Sequence, residues 1–200
     1  QGGAVALGVT RLLEEMQNQG EIDWTIRKLY AGAGPYDPAA TYDYCVSLDT
    51  MGIPAAIPLI VMGLSDAYDL EFELEDFFLE PLLSNYEQWI GSKELTVGDI
   101  NHRMGSVVMS QLMTAESLDR NQPLAKMLYE ALSWNSNIGY DLQSPAYFLH
   151  SLEDEVVPII NSRRLAAAMP NDRDITYDFG EYGSHMAASI PFMQYLYQDL

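Results

Sequence analysis

Two polar segments near the end of the sequence offer an acid and a base. Asp154 lies in the segment LEDEVVP (152–158), directly after the apolar run 146–150, and His185 lies in the segment GSH (183–185). A carboxylate that orients an imidazole, together with an imidazole that removes a proton from a hydroxyl, is the pair that activates a nucleophile for acyl transfer. We therefore take Asp154 as the candidate catalytic acid and His185 as the candidate catalytic base.

The other polar residues around this pair have simpler interpretations. Glu153 and Glu155 flank Asp154 and are expected to face solvent, as acidic side chains usually do. His150 ends the apolar run and is expected to be a hydrogen-bonding partner behind the site, whereas His102 has no acid nearby and is expected at the surface. The three histidines do not have the spacing of metal ligands, so the sequence predicts no metal site and no cofactor.

The sequence begins with QGGAVAL (1–7), a pattern typical of the residues that follow a nucleophilic serine. In a G-x-S-x-G elbow, a strand turns sharply through the serine into a helix, and small residues let the two backbones pass closely. With the serine directly before Gln1, Gly2 and Gly3 would supply the small residues that this turn requires. The backbone N–H of Gln1 would then be one donor to the oxyanion. The nucleophile is thus inferred to lie just outside these 200 residues.

Alternating strand and helix patterns at both ends of the chain would position these groups. Strand-like runs lie at 24–31, 146–150 and 175–179, and helical patterns lie at 4–19, 162–169 and 185–197. The first helix is predicted to have one apolar face formed by Val5, Val9, Leu12, Leu13 and Met16. This alternation is typical of a parallel sheet flanked by helices, with functional groups at its carboxyl edge. Three strands alone would leave an unpaired edge, so further strands are expected from elsewhere.

The middle of the chain has helical patterns and almost no strand signal. These patterns cover 39–51, 53–68, 75–89, 97–100, 106–112 and 123–134. The predicted organisation is therefore a core made of residues 1–37 and 145–200, interrupted by a helical insertion at 38–144. Its methionines and aromatic residues fit either an ordinary helical core or a lid whose inner face binds an apolar acyl chain.

Composition argues against nucleic acid and membranes as partners. A net charge of −19 argues against binding to nucleic acid and disfavours an anionic membrane surface. The longest apolar run, 53–64, is short and interrupted by prolines, which argues against stable membrane insertion. The single cysteine, Cys45, has no internal partner for a disulfide and is predicted to be a buried thiol.

Taken together, these residues resemble the α/β-hydrolase superfamily, in which the nucleophile precedes the acid and the acid precedes the histidine. More narrowly, the segments 1–4, 32–37 and 150–158 and the long helical insertion resemble the secretory lipase family typified by fungal lipase A. The resemblance implies the C-terminal part of an α/β-hydrolase, with a parallel sheet flanked by helices and a helical lid. By that match, Asp154 and His185 complete a triad with the serine before Gln1.

The resemblance also implies an activity. It implies a serine hydrolase that cleaves small-molecule carboxylic esters through an acyl-enzyme, in a secreted or periplasmic location. An N-terminal half, in the same or a companion chain, would supply the serine, the preceding strands and the second oxyanion donor. Two alternatives remain: a peptidase or other acyl hydrolase on the same fold, and a non-catalytic hydrolase-like binding module. The residue before Gln1 separates the binding module from the enzymes.

Overall fold

The computed structural model describes residues 1–169 and 173–199, and within them the chain forms three β-strands and ten α-helices. In chain order they are α1 (Gly2–Asn18), β1 (Leu29–Gly32), α2 (Pro38–Leu48), α3 (Ala56–Tyr68), α4 (Leu74–Phe77), α5 (Leu82–Tyr86), α6 (Val97–Met104), α7 (Ala115–Leu118), α8 (Pro123–Trp134), β2 (Ala146–Ser151), α9 (Ile160–Ala168), β3 (Ile175–Gly180) and α10 (Ser189–Asp199). A π-helical turn spans Glu87–Gly91 and a 3₁₀ turn spans Met109–Gln111. The predicted core segment 145–200 includes residues 170–172 and 200, which lie outside the described residues.

The chain divides into two compact units. The sheet unit comprises Gln1–Thr41 and Ser136–Leu200, and the helical unit comprises Tyr42–Asn135. All three strands belong to the sheet unit, and the helical unit lies within the predicted insertion at 38–144.

The sheet has the order β1-β2-β3, and both pairs of strands are parallel. The central strand β2 is buried at all six positions, as expected for a parallel strand covered on both faces. Alternate residues enter different apolar clusters: Phe148 packs with Leu7 and Leu165, whereas Leu149 packs with Tyr147 and Ala188. The predicted parallel sheet flanked by helices is therefore confirmed.

Strand pairing sets the bounds of β1 more narrowly than the sequence suggested. The predicted strand 24–31 is observed only as Leu29–Gly32, because β2 begins at Ala146, opposite Leu29. The predicted strands 146–150 and 175–179 each extend by one residue at the carboxyl end.

The predicted helix 75–89 is divided into α4, α5 and the π-helical turn. Pro81 interrupts it because proline lacks the N–H that a helix interior requires. Most of the predicted helix 106–112 is irregular apart from the 3₁₀ turn, and α6 extends from Val97 to Met104 before Gly105 ends it at φ +67°. The last helix begins at Ser189 rather than at residue 185, since residues 185–188 form turns.

The predicted apolar face of α1 is only partly buried: Leu13 and Met16 are half-buried. Val5, Val9 and Leu12 are 61%, 48% and 54% exposed, and the buried positions are Gly3, Leu7, Thr10 and Glu14. The helix turns this other face inward because Gly3 lies against β1 and Glu14 is held by the loop before β2. The Glu14 carboxylate accepts hydrogen bonds from the Tyr140 hydroxyl at 2.6 Å, the Gln143 N–H at 3.0 Å and the Ser144 N–H at 2.7 Å. It also accepts one from the Ser144 hydroxyl.

The helical unit has an aromatic and methionine-rich core. Its fully buried large side chains are Phe77, Phe78, Leu82, Met109, Leu112, Met113 and Leu128. Cys45 is buried, as predicted, and burial raises the pKa of its thiol. Across the described residues, no helix combines the length and apolar character needed to span a membrane.

Candidate active site

Asp154 lies in the turn that follows β2. Its side chain is fully buried, and Oδ1 accepts hydrogen bonds from the backbone N–H groups of Val156 at 2.9 Å and Val157 at 2.8 Å. An aspartate that caps the backbone two and three residues later is a common turn motif, so the local sequence itself fixes this carboxylate. Oδ2 remains for partners from elsewhere in the fold.

Two histidines approach that second oxygen. Nδ1 of His185 lies 2.7 Å from Oδ2, and Nε2 of His150 lies 3.3 Å from it. Burial alone would raise the pKa of Asp154, but the hydrogen bonds from both histidines and from the backbone outweigh burial and lower the pKa to about 2. Asp154 is therefore a carboxylate at neutral pH.

His185 lies between β3 and α10, and its ring is 27% exposed. Because a carboxylate can only accept a hydrogen bond, Nδ1 carries the proton and donates a hydrogen bond to Asp154. This tautomer leaves Nε2 with a free lone pair, as a general base requires. The structure thus brings the predicted acid and the predicted base into direct contact, although they are 31 residues apart.

His150 supports the acid from behind. Its fully buried ring places Nε2 2.9 Å from the carbonyl oxygen of Val157 and Nδ1 2.6 Å from Oγ of Ser162. Since the carbonyl only accepts, Nε2 carries the proton, and Nδ1 accepts from the Ser162 hydroxyl. His150 thus occupies the place expected of a hydrogen-bonding partner, while His102 is exposed on α6.

The beginning of the chain lies at the same end of the sheet unit. Gln1 is the exposed N-cap of α1, and a Cβ at Gly3 would overlap the carbonyl oxygen of Gly32 on β1. Only glycine permits this approach of helix and strand. A cavity of about 390 Å³ is lined by Gln1, Gly3, the end of β1 and His185. The predicted oxyanion donor and the predicted base therefore border one cavity.

The two acids that flank Asp154 do more than face solvent. Both are exposed, but Glu153 accepts a hydrogen bond from the backbone N–H of Gly183 at 2.9 Å, and Glu155 accepts one from the backbone N–H of His185 at 3.0 Å. These contacts join segments 30 residues apart. No local pattern in the sequence predicts these two hydrogen bonds.

Comparisons with known proteins identify the fold. No protein-family model and no curated protein matches the sequence. The structure is similar to the rice cell wall degrading esterase LipA from Xanthomonas oryzae, with a TM-score of 0.74 and 16% identity, over 96% of this chain and 52% of that one. It is also similar to Candida antarctica lipase A, with a TM-score of 0.64 and 17% identity, over 94% of this chain and 43% of that one.

The chain has an α/β-hydrolase fold. The structure is similar as well to a protein from Legionella pneumophila, with a TM-score of 0.72 and 14% identity, over 93% of this chain and 50% of that one. The chain spans about half the length of the solved structures it matches. The predicted resemblance to α/β-hydrolase lipases and esterases is confirmed at the level of the fold.

Within this α/β-hydrolase fold, the acid and the base follow neighbouring strands. Ser151 at the end of β2 is paired with Gly180 at the end of β3, so both turns leave the sheet at the same edge. That carboxyl edge is where open α/β sheets gather their functional groups. Nowhere in residues 1–169 and 173–199 do three His, Cys, Asp or Glu side chains lie where they could hold a metal ion together. The chemistry that the arrangement offers is proton transfer by His185.

Proposed function

We propose that this chain supplies the acid, the base and one oxyanion donor of a serine hydrolase that cleaves carboxylic esters. One observation carries the proposal: Asp154 contacts His185 at 2.7 Å, and His185 borders a cavity that Gln1 also lines. The similar solved structures add support, since two of them are described as an esterase and a lipase.

The nucleophile of this proposal is a serine bonded to the amino side of Gln1 or presented there by a companion chain. The start of α1 supports this position, because Gly3 packs against Gly32 at the carboxyl end of β1 and Gln1 lines the same cavity as His185. Nε2 of His185 removes the hydroxyl proton as the serine oxygen attacks the ester carbonyl carbon. The tetrahedral intermediate then collapses, the alcohol leaves with the proton from His185, and the acyl group stays on the serine.

Hydrolysis of the acyl-enzyme repeats the same proton transfers with water. His185 removes a proton from water as the water oxygen attacks the acyl carbonyl carbon. The tetrahedral intermediate then expels the serine oxygen, which recovers its proton from His185, and the carboxylic acid is released. Asp154 remains ionised and stabilises the imidazolium during both steps. The backbone N–H of Gln1, at the N-terminus of the 17-residue helix α1, faces the developing oxyanion. A second donor comes from the proposed N-terminal half.

The helical unit would act as a lid that binds the acyl chain. A cavity of about 480 Å³ inside this unit supports that role, because Leu79, Met113, Ala115 and Leu118 give it largely apolar walls. The proposed location, by resemblance, is secreted or periplasmic.

Labelling with a fluorophosphonate probe tests the proposal on the full polypeptide that carries this sequence. We expect the tag, located by peptide mass, on a serine directly before Gln1, and we expect His185→Ala to abolish labelling. His102→Ala is the matched control, because His102 is exposed on α6 and should leave labelling unchanged. An untagged wild-type protein, or full labelling of the His185 variant, would refute the proposed mechanism.

Substrate assays then separate the related activities. We expect hydrolysis of p-nitrophenyl esters and no cleavage of peptide anilides. Cleavage of the anilides at a comparable rate would instead make the protein a peptidase on the same fold.

A further inference from the structure

Side chains from the end of β2 and the turn that follows it make hydrogen bonds to the backbone of the loop that carries His185. Ser151 donates a hydrogen bond from Oγ to the carbonyl oxygen of Gly183 at 2.6 Å. Glu153 accepts from the N–H of Gly183, and Glu155 accepts from the N–H of His185, at 2.9 and 3.0 Å. Both the N–H and the carbonyl group of Gly183 are thus hydrogen-bonded, and so is the N–H of His185.

The spacing of these residues follows from the local chain direction. Ser151, Glu153 and Glu155 alternate with Leu152 and Asp154, and their side chains contact the loop backbone while Asp154 contacts the imidazole ring. Gly183 adopts φ +76°, a left-handed conformation that glycine accommodates readily. One short segment therefore holds both the ring and the backbone of the histidine loop.

We propose that Glu153 and Glu155 are positioning residues, a carboxylate clamp that sets the backbone of His185 so that Nδ1 meets Asp154. This inference rests on the proposed function, since it concerns the same base. The clamp consists of two charge-assisted hydrogen bonds, which are stronger than neutral ones of the same geometry.

The surroundings of His185 explain why such a clamp is needed. The ring is 27% exposed, and the residue lies in turns that precede α10 rather than in a helix. Three consecutive carboxylates in a chain with a net charge of −19 repel one another, and backbone N–H donors at each of the three offset that repulsion. A shift of about 1 Å in a catalytic group can lower the rate by about 10²-fold, so this restraint matters for turnover.

The experiment compares two double variants and one single variant with wild type, all in the full polypeptide. In the Glu153→Ala and Glu155→Ala double variant, we expect kcat to fall by about tenfold or more with KM unchanged. In the Glu153→Gln and Glu155→Gln double variant, we expect kcat within about threefold of wild type, because an amide oxygen still accepts from an N–H. Glu181→Ala is the matched control, as Glu181 is an exposed acid in the same loop and makes no hydrogen bond to any described residue.

Hydrogen exchange gives a second measurement that does not depend on activity. The amides of Gly183 and His185 should exchange faster in the double alanine variant than in Glu181→Ala, at an unchanged Tm. If the double alanine variant matches Glu181→Ala in both kcat and exchange, the clamp is refuted. If wild type takes no fluorophosphonate label and shows no esterase activity, the proposed function fails, and the exchange data alone decide whether the two carboxylates hold the loop.

Discussion

Replacing Asp154 by asparagine tests the candidate site most directly. In the structure, Oδ1 accepts from two backbone N–H groups, whereas Oδ2 faces the N–H groups of His185 and His150. The asparagine amide can keep its oxygen toward the backbone, but its NH₂ group would then face two donors. We expect His185 to respond by moving its proton to Nε2, the nitrogen that must be free to act as a base.

The expected loss of activity follows from that tautomer. The same substitution in the triad of a serine protease lowers kcat by about 10⁴-fold, and we expect a loss of that order here. A stability effect should accompany it. Because the folded-state pKa of Asp154 lies near 2 instead of 3.8, its ionised form stabilises the fold by about 2 kcal/mol at neutral pH.

The sign of the pH dependence is fixed by this lowered pKa. The stabilisation of the fold by ionised Asp154 is fully present above about pH 4 and is lost as pH falls toward about 2. The difference in unfolding free energy between wild type and Asp154→Asn should therefore be largest at neutral pH, and it should shrink by about 2 kcal/mol as pH falls to about 2.

The assay combines p-nitrophenyl ester hydrolysis with urea unfolding at pH 7 and pH 2.5. Asp66→Asn serves as control, since Asp66 is exposed on α3 and should change neither measurement. A kcat for Asp154→Asn within tenfold of wild type would show that this carboxylate does not orient the base. A constant difference in unfolding free energy between pH 7 and pH 2.5 would contradict the lowered pKa.

Three further substitutions have expected outcomes. His185→Ala should reduce kcat by about 10⁴-fold or more while Tm stays within a few degrees of wild type, as measured by ester hydrolysis and thermal unfolding, since the ring is partly exposed. Gly3→Ala should destabilise the fold by about 1–3 kcal/mol in urea unfolding because its Cβ overlaps a carbonyl oxygen of β1, whereas Gly2→Ala, with open space around it, should not. Glu14→Ala should cost about 2–4 kcal/mol by the same measurement, since it leaves the buried N–H and hydroxyl donors of Ser144 without an acceptor; equal stability would show that water replaces the carboxylate.

The elements that the sequence predicted well are those governed by local patterns. The runs 146–150 and 175–179 are compact and apolar or alternating, and both are strands of the parallel sheet. Asp154 and His185 could be chosen as candidates because each follows such a strand, and parallel strands bring their carboxyl ends to one edge.

The features that the sequence missed depend on distant partners. The apolar residues Val5, Val9 and Leu12 share one face of α1 but are exposed, whereas Gly3 on another face contacts β1. Glu14 looks like a solvated acid until the loop before β2 supplies its donors. Long-range hydrogen bonds of this kind leave no periodic signal in the sequence.

The register between β2 and β3 has a consequence for the energetics of turnover. Because Ser151 and Gly180 are paired, the turn with Asp154 and the loop with His185 leave the sheet side by side, and the sheet itself brings the pair together. In the proposed mechanism, no conformational entropy is then lost in assembling acid and base during the reaction. The activation entropy of acylation should accordingly contain little contribution from bringing Asp154 and His185 together.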